Sequence, residues 1–244
     1  MVAGVVRERT GQRVSSGLLV GLVLVASYAA VVGGLFSAAM AGLERGTVAE
    51  APVRVIAPIG LHGSAIVPCV QGSPAADGSL CEPAASPEQW PEGEPLPVRQ
   101  AGGLVAAATG AGPIAALLAS APMWGGLLAA GAVGLLLIPA VRTTTSGAPF
   151  ARGNARRLAA GAVVIAVSWA LVTAADYTAA SMIIGALEAA PAPMSAISVE
   201  VPEGWLAPAL RITWWPLLIG ALLALLAAAV KQGTQLRSDT EGLV

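Results

Sequence analysis

Three places in this chain hold side chains fit for chemistry. The first is the pair Cys69 and Cys81. A disulfide between them would close a loop of about a dozen residues and contribute roughly 3 kcal/mol by restricting the unfolded chain. The rival reading, a metal or redox centre, needs a CxxC spacing or a His/Cys cluster. The chain has neither, and His62 is its one histidine. The second is Asp176, an acid set among apolar residues. Deep in hydrocarbon such a group is costly to bury and is paired or functional; at the headgroups it is an ordinary interfacial acid. The third is the run from Arg142 to Arg157, which carries four arginines and no acid. Within it Thr143, Thr144, Thr145 and Ser146 offer hydroxyls with no base beside them, so turn formation and helix capping suit them better than nucleophilic attack. No Gly-x-Ser-x-Gly, HExxH or phosphate-loop motif occurs. These residues point to a protein without catalytic, cofactor or metal chemistry.

Hydropathy sets the elements that must position these groups. The chain is 56% hydrophobic and 11% charged, against roughly 45–50% and about 25% in soluble domains. With a mean hydropathy of +0.75 this excludes an ordinary soluble or disordered chain, and no charge pattern of direct nucleic-acid binding appears. Val14–Leu43 is uncharged and follows a basic N-terminus. A cleaved signal peptide, with Ala38-Ala39-Met40-Ala41 as its cleavage zone, is the alternative, but its apolar core would span only about 7–15 residues. The stretch reads as an uncleaved span. Gly17-Leu-Leu-Val-Gly21 within it fits small-xxx-small packing, read here as packing inside the molecule. Ala101–Val141 is also uncharged, and Gly102, Gly103, Gly110, Gly112 and Pro113 make its first third a poor helix. One span near Ile114–Val141 follows, with Ala101–Gly112 as a connecting or interfacial segment and Pro122 and Pro139 as kink positions. The expected spans are residues 14–43, 114–141, 158–184 and 212–230.

Charge orients them. The N-terminus, the arginine run and the base of the tail are basic, whereas loops 44–113 and 185–211 are acidic. Short Lys/Arg-rich loops stay in the cytoplasm. The expectation is an all-α integral membrane protein with four transmembrane helices, both termini cytoplasmic, and a small extracytoplasmic β-containing cap. Val53–Ile56, Ala65–Val70 and Ile197–Val201 are its strand candidates. Trp124, Trp205, Trp214 and Trp215 then fall near the outer boundary, as an interfacial aromatic belt would.

In the arginine run, Ser146 or Gly147 breaks the chain and Pro149 suits a first helical turn. Phe150, Asn154 and Leu158 recur at i, i+4 and i+8. Phe150 would dip into the interface while Arg152, Arg156 and Arg157 face headgroup phosphates or water. The pattern Gly147-x-Pro149-Phe150-x3-Asn154-x2-Arg157-Leu158 resembles the central signature of the domain-of-unknown-function 2975 family of small bacterial membrane proteins. The tail Gly233-x2-Leu236-Arg237-x-Asp239-x-Glu241-Gly242-Leu243-Val244 resembles that family's C-terminus. The long acidic first loop with its cysteines departs from the family pattern. The resemblance implies four helices, a bacterial cell membrane and a cytoplasmic partner of the helix-turn-helix regulator kind; the family has no established activity.

Two function classes remain. A non-enzymatic sensor, adaptor or assembly component would use Gly147, Pro149, Phe150, Asn154, Arg156 and Arg157 as a partner motif. A transporter or channel subunit for a small solute or ion is the alternative. It needs polar groups along a path between helices, and Asp176 is its sole candidate with no broken-helix repeat in support.

Overall fold

The computed structural model describes residues 2–43, 48–56, 59–62, 65–68, 82–83, 98–100, 104–109, 111–151, 153–189, 204 and 206–241. In chain order these form α1 (Val2–Leu43), β1 (Val48–Val55), β2 (Ile59–His62), β3 (Ala65–Pro68), β4 (Glu82–Pro83), β5 (Val98–Gln100) and β6 (Leu104–Thr109). Then come α2 (Pro113–Ala119), α3 (Ala121–Thr145), α4 (Asn154–Ala189), β7 (Leu206–Pro208) and α5 (Trp215–Glu241). Among the described residues, four stretches are long and apolar enough to cross a membrane: Gly17–Leu43, Ala121–Thr145, Asn154–Ala189 and Trp215–Leu236. Their sidedness agrees with a membrane solvent. Leu18, Leu22, Val25, Val32, Leu35 and Phe36 of α1 are exposed, while Ser27 on the same helix is buried. Bare apolar surface on this scale is foreign to a water-soluble monomer. The coarse expectation of a four-span membrane protein stands.

Contacts divide the chain into two units. The first is the bundle, made of Met1–Ser37, Met123–Val172 and Thr213–Val244. Its helices meet where a side chain is missing, as helices do when hydrophobic burial cannot drive them together. A β-carbon on Gly131 of α3 would lie 2.8 Å from the Ser27 carbonyl oxygen of α1, and one on Gly34 of α1 would lie 3.0 Å from the Trp124 carbonyl oxygen of α3. Gly125 similarly admits Val172 of α4, and Gly220 of α5 lies against Ala162 and Ile165 of α4. Gly17 and Gly21 make no such contact: among the described residues nothing comes within 4 Å of either β-position. The packing expected of that pair inside the molecule is therefore absent, and Ser27, Gly34, Gly131 and Gly134 provide it instead.

The second unit, the cap, comprises Ala38–Pro122 and Thr173–Ile212. Its main sheet is antiparallel in the order β5-β6-β1-β7, with Val48 opposite Thr109, Pro52 opposite Val105 and Val55 opposite Leu206. Ala49, Ala51 and Val53 alternate along β1 and so share one face. With Ala106, Ala108 and Leu206 they pack against Ala179, Ala180, Ile183 and Ile184 of α4 and Ala115 of α2. A three-stranded sheet, β3-β2-β4, completes the cap.

Three sequence expectations change here. Ala101–Gly112 holds strand β6 rather than a simple connector or interfacial segment; its flanking glycines keep it out of helix, and its small side chains fit closely under α4. Pro122 does not kink a long helix. The break falls at Ser120, because a proline lacks the N–H and crowds the carbonyl four residues back, so Pro122 opens α3 and α2 stands alone. The helix of the third expected span runs on past residue 184 to Ala189, and its Ala179, Ala180, Ile183 and Ile184 lie in the core of the cap. At 1.5 Å per residue the 36 residues of α4 span about 54 Å, well beyond the roughly 30 Å of a hydrocarbon core. Of the strand candidates, Val53–Ile56 lies largely in β1 and Ala65–Val70 largely in β3; Ile197–Val201 falls outside the described residues.

Candidate functional site

The turn between α3 and α4 is built from backbone upward. The last four carbonyls of α3 would be left without helical partners. Gly147, at φ +85°, takes the left-handed conformation that lets the chain fold back on them. Its N–H donates to the Thr144 carbonyl at 3.1 Å, and the next N–H, of Ala148, donates to the Thr143 carbonyl at 2.8 Å. The hydroxyls join in: Thr144 Oγ1 donates to the Ala140 carbonyl at 2.8 Å, Thr145 Oγ1 to Arg142 at 3.0 Å and Ser146 Oγ to Thr143 at 2.9 Å. Every hydroxyl of the Thr-Thr-Thr-Ser run thus bonds back to the last turns of its own helix.

Asn154 holds the turn shut. It opens α4 and is 2% exposed. Its Nδ2 donates to Thr143 Oγ1 at 2.8 Å and to the Pro149 carbonyl at 3.1 Å, so both amide protons are used. Thr143 Oγ1 can accept because its own proton goes back to the Ala140 or Pro139 carbonyl, at 2.9 and 3.1 Å. Arg157 Nη1 approaches Asn154 Oδ1 at 3.5 Å, the long limit of a hydrogen bond. One turn further on, Leu158 is buried with Ala227 and Val230 of α5.

The expected helix through Pro149 is not formed. Ala151 N–H bonds the Ala148 carbonyl in a tight turn, Gly153 stands at φ +98°, and α4 begins only at Asn154. Phe150 consequently leaves the helical face it was assigned. Its ring lies instead on the backbone of Gly233 in α5, where a β-carbon would overlap the ring edge. The turn around Phe150 and the stretch of α5 at Gly233 therefore touch.

The chain matches no family model, no curated protein and no solved structure. Gly147, Pro149, Phe150, Asn154 and Arg157 come together in one turn; Arg156 is exposed on the first turn of α4, and Arg152 lies outside the described residues. Asp176 belongs to the cap, half-buried on α4 with Arg211 as its charged neighbour. Cys69 and Cys81 lie outside the described residues. Sequence reasoning missed two participants. The hydroxyl run predicts a cap at Thr143 but not its role as acceptor for Asn154, and nothing in the tail pattern marks Gly233 as the seat of Phe150. Gly233 is one of 29 glycines in the chain, which hides the signal.

Proposed function

We propose that the chain is a non-enzymatic multi-pass protein of a bacterial cell membrane, acting as a sensor, adaptor or assembly component. Both termini and the arginine-bearing turn face the cytoplasm, and the cap stands outside with Cys69 and Cys81 joined as a disulfide. The observation that carries this reading is the turn between α3 and α4, closed by the Asn154 hydrogen bonds, in a chain whose described residues include four stretches apolar enough to cross a membrane. The turn's exposed Arg156 supplies a planar fork suited to a partner's carboxylates or phosphates. Likeness to the family named above adds a small cytoplasmic regulator as the kind of partner. Asp176 with Arg211 is the feature a transporter or channel subunit would use; an acid with a charged neighbour in the cap also serves as ordinary structure.

Crosslinking and capture from native membranes test the proposal. Wild-type protein should retain a discrete cytoplasmic partner. The Arg152→Lys/Arg156→Lys/Arg157→Lys variant, which keeps the charge and loses the fork, should insert normally and capture at least tenfold less, the equivalent of one bidentate contact at about 1.4 kcal/mol. Equal capture by both would reduce these arginines to a topological anchor. Solute or ion flux from the purified protein in liposomes would replace the adaptor reading with the transporter.

A further inference from the structure

Two cations at one end of the bundle stand without a counter-charge. Arg156 on the first turn of α4 and Lys231 on α5 are exposed, and among the described residues neither has a hydrogen-bond or ion-pair partner. They belong to one seam. Leu158, two residues beyond Arg156, packs with Val230, the neighbour of Lys231, and further in Gly220 of α5 lies against Ala162 and Ile165 of α4. Both cations also open on one side of that seam. Arg156 follows by two residues Asn154, whose amide reaches α3 at Thr143. Lys231 precedes by two residues Gly233, on which the Phe150 ring of the α3–α4 turn lies. Two residues turn a helix by about 200°, so each cation stands on the side of its helix away from α3 and its turn. Inward of them the same side is apolar. Ala159 and Val163, at i+3 and i+7 from Arg156, are exposed, as are Ala228 and Ala224, at i−3 and i−7 from Lys231.

We propose that this side of the α4–α5 seam binds an anionic phospholipid, with Arg156 and Lys231 holding its phosphate and Ala159, Val163, Ala224 and Ala228 receiving an acyl chain. Charge complementarity selects the occupant. Two cations with no carboxylate at hand call for an anion, and basic pockets between membrane helices take anionic headgroups. Arg156 offers a planar fork to two phosphate oxygens, and Lys231 adds a point charge. The apolar lane leading inward, kept shallow by three alanines, suits a chain attached to that anion. A soluble phosphate or an acidic peptide has no such chain. The site goes beyond the adaptor reading and stands on the four spans alone.

Native mass spectrometry of the full-length protein released from detergent tests this with no partner protein present, so its outcome is separable from that of the capture experiment. The protein is titrated with phosphatidylglycerol or with phosphatidylcholine of the same chains. Wild type should bind one phosphatidylglycerol about tenfold more tightly than phosphatidylcholine. Arg156→Gln and Lys231→Gln should each weaken phosphatidylglycerol about fivefold, whereas Arg142→Gln, which removes equal charge at the end of α3, should weaken it by less than about twofold. Ala159→Phe/Ala228→Phe keeps both cations and fills the lane, so it should also weaken the lipid. An equal loss in Arg142→Gln would reduce the effect to diffuse surface charge and overturn the site, as would equal binding of the two lipids or wild-type affinity in the double Phe variant. Glycerol phosphate or a Glu-rich peptide bound as tightly as phosphatidylglycerol would overturn it too, by assigning the cations to a soluble anion.

Discussion

Asn154 does the work in the turn that charge cannot. Its amide is the group that both donates to a carbonyl outside the helix and reaches the hydroxyl of Thr143 at the end of the preceding one. A carboxylate has the same shape and no protons to give. Asn154→Asp should therefore lower stability by about 1–3 kcal/mol through the Pro149 carbonyl, which loses its donor. Thermal unfolding in detergent micelles measures it, and a variant as stable as wild type would show that the turn closes without the amide. The importance of this residue was partly visible in the sequence, where Asn154 stood oddly among arginines that an anchor would explain. Its partners were not visible. The link to Thr143 runs over eleven residues and exists because Gly147 reverses the chain, a geometry that the helical spacing of Phe150, Asn154 and Leu158 concealed.

At the level of elements, close approach between helices is the controlling feature of the bundle. Gly131 brings the backbones of α1 and α3 together, so Gly131→Leu should overpack that seam and cost roughly 1–3 kcal/mol. Gly17→Leu and Gly21→Leu should leave the unfolding temperature of the monomeric, detergent-solubilised protein unchanged, since both glycines are exposed and no described residue outside their own helix comes within 4 Å of their β-positions. If the Gly17 and Gly21 variants unfold early and the Gly131 variant does not, the seam has been misassigned. Which of 29 glycines makes a contact is a tertiary property, and one helix read alone cannot reveal it. The four long apolar helices were legible because length and charge-free composition are local. Strand β6 was not, because Leu104–Thr109 has the small apolar composition of a membrane segment and becomes a strand only through pairing with β1.

For the whole molecule, the central claim is orientation. The proposed partner surface and the proposed disulfide of Cys69 and Cys81 both require the arginine-bearing turn to be cytoplasmic and the cap to be outside. The unequal distribution of arginines and acids supports this. Single-cysteine labelling in intact cells tests it most directly. In a background with Cys69 and Cys81 replaced by serine, Ser146→Cys and Arg54→Cys are placed at exposed positions of the turn and of β1. The account predicts that a membrane-impermeant maleimide labels Arg54→Cys in whole cells and labels Ser146→Cys only after the membrane is opened. Labelling of Ser146→Cys from outside would contradict it.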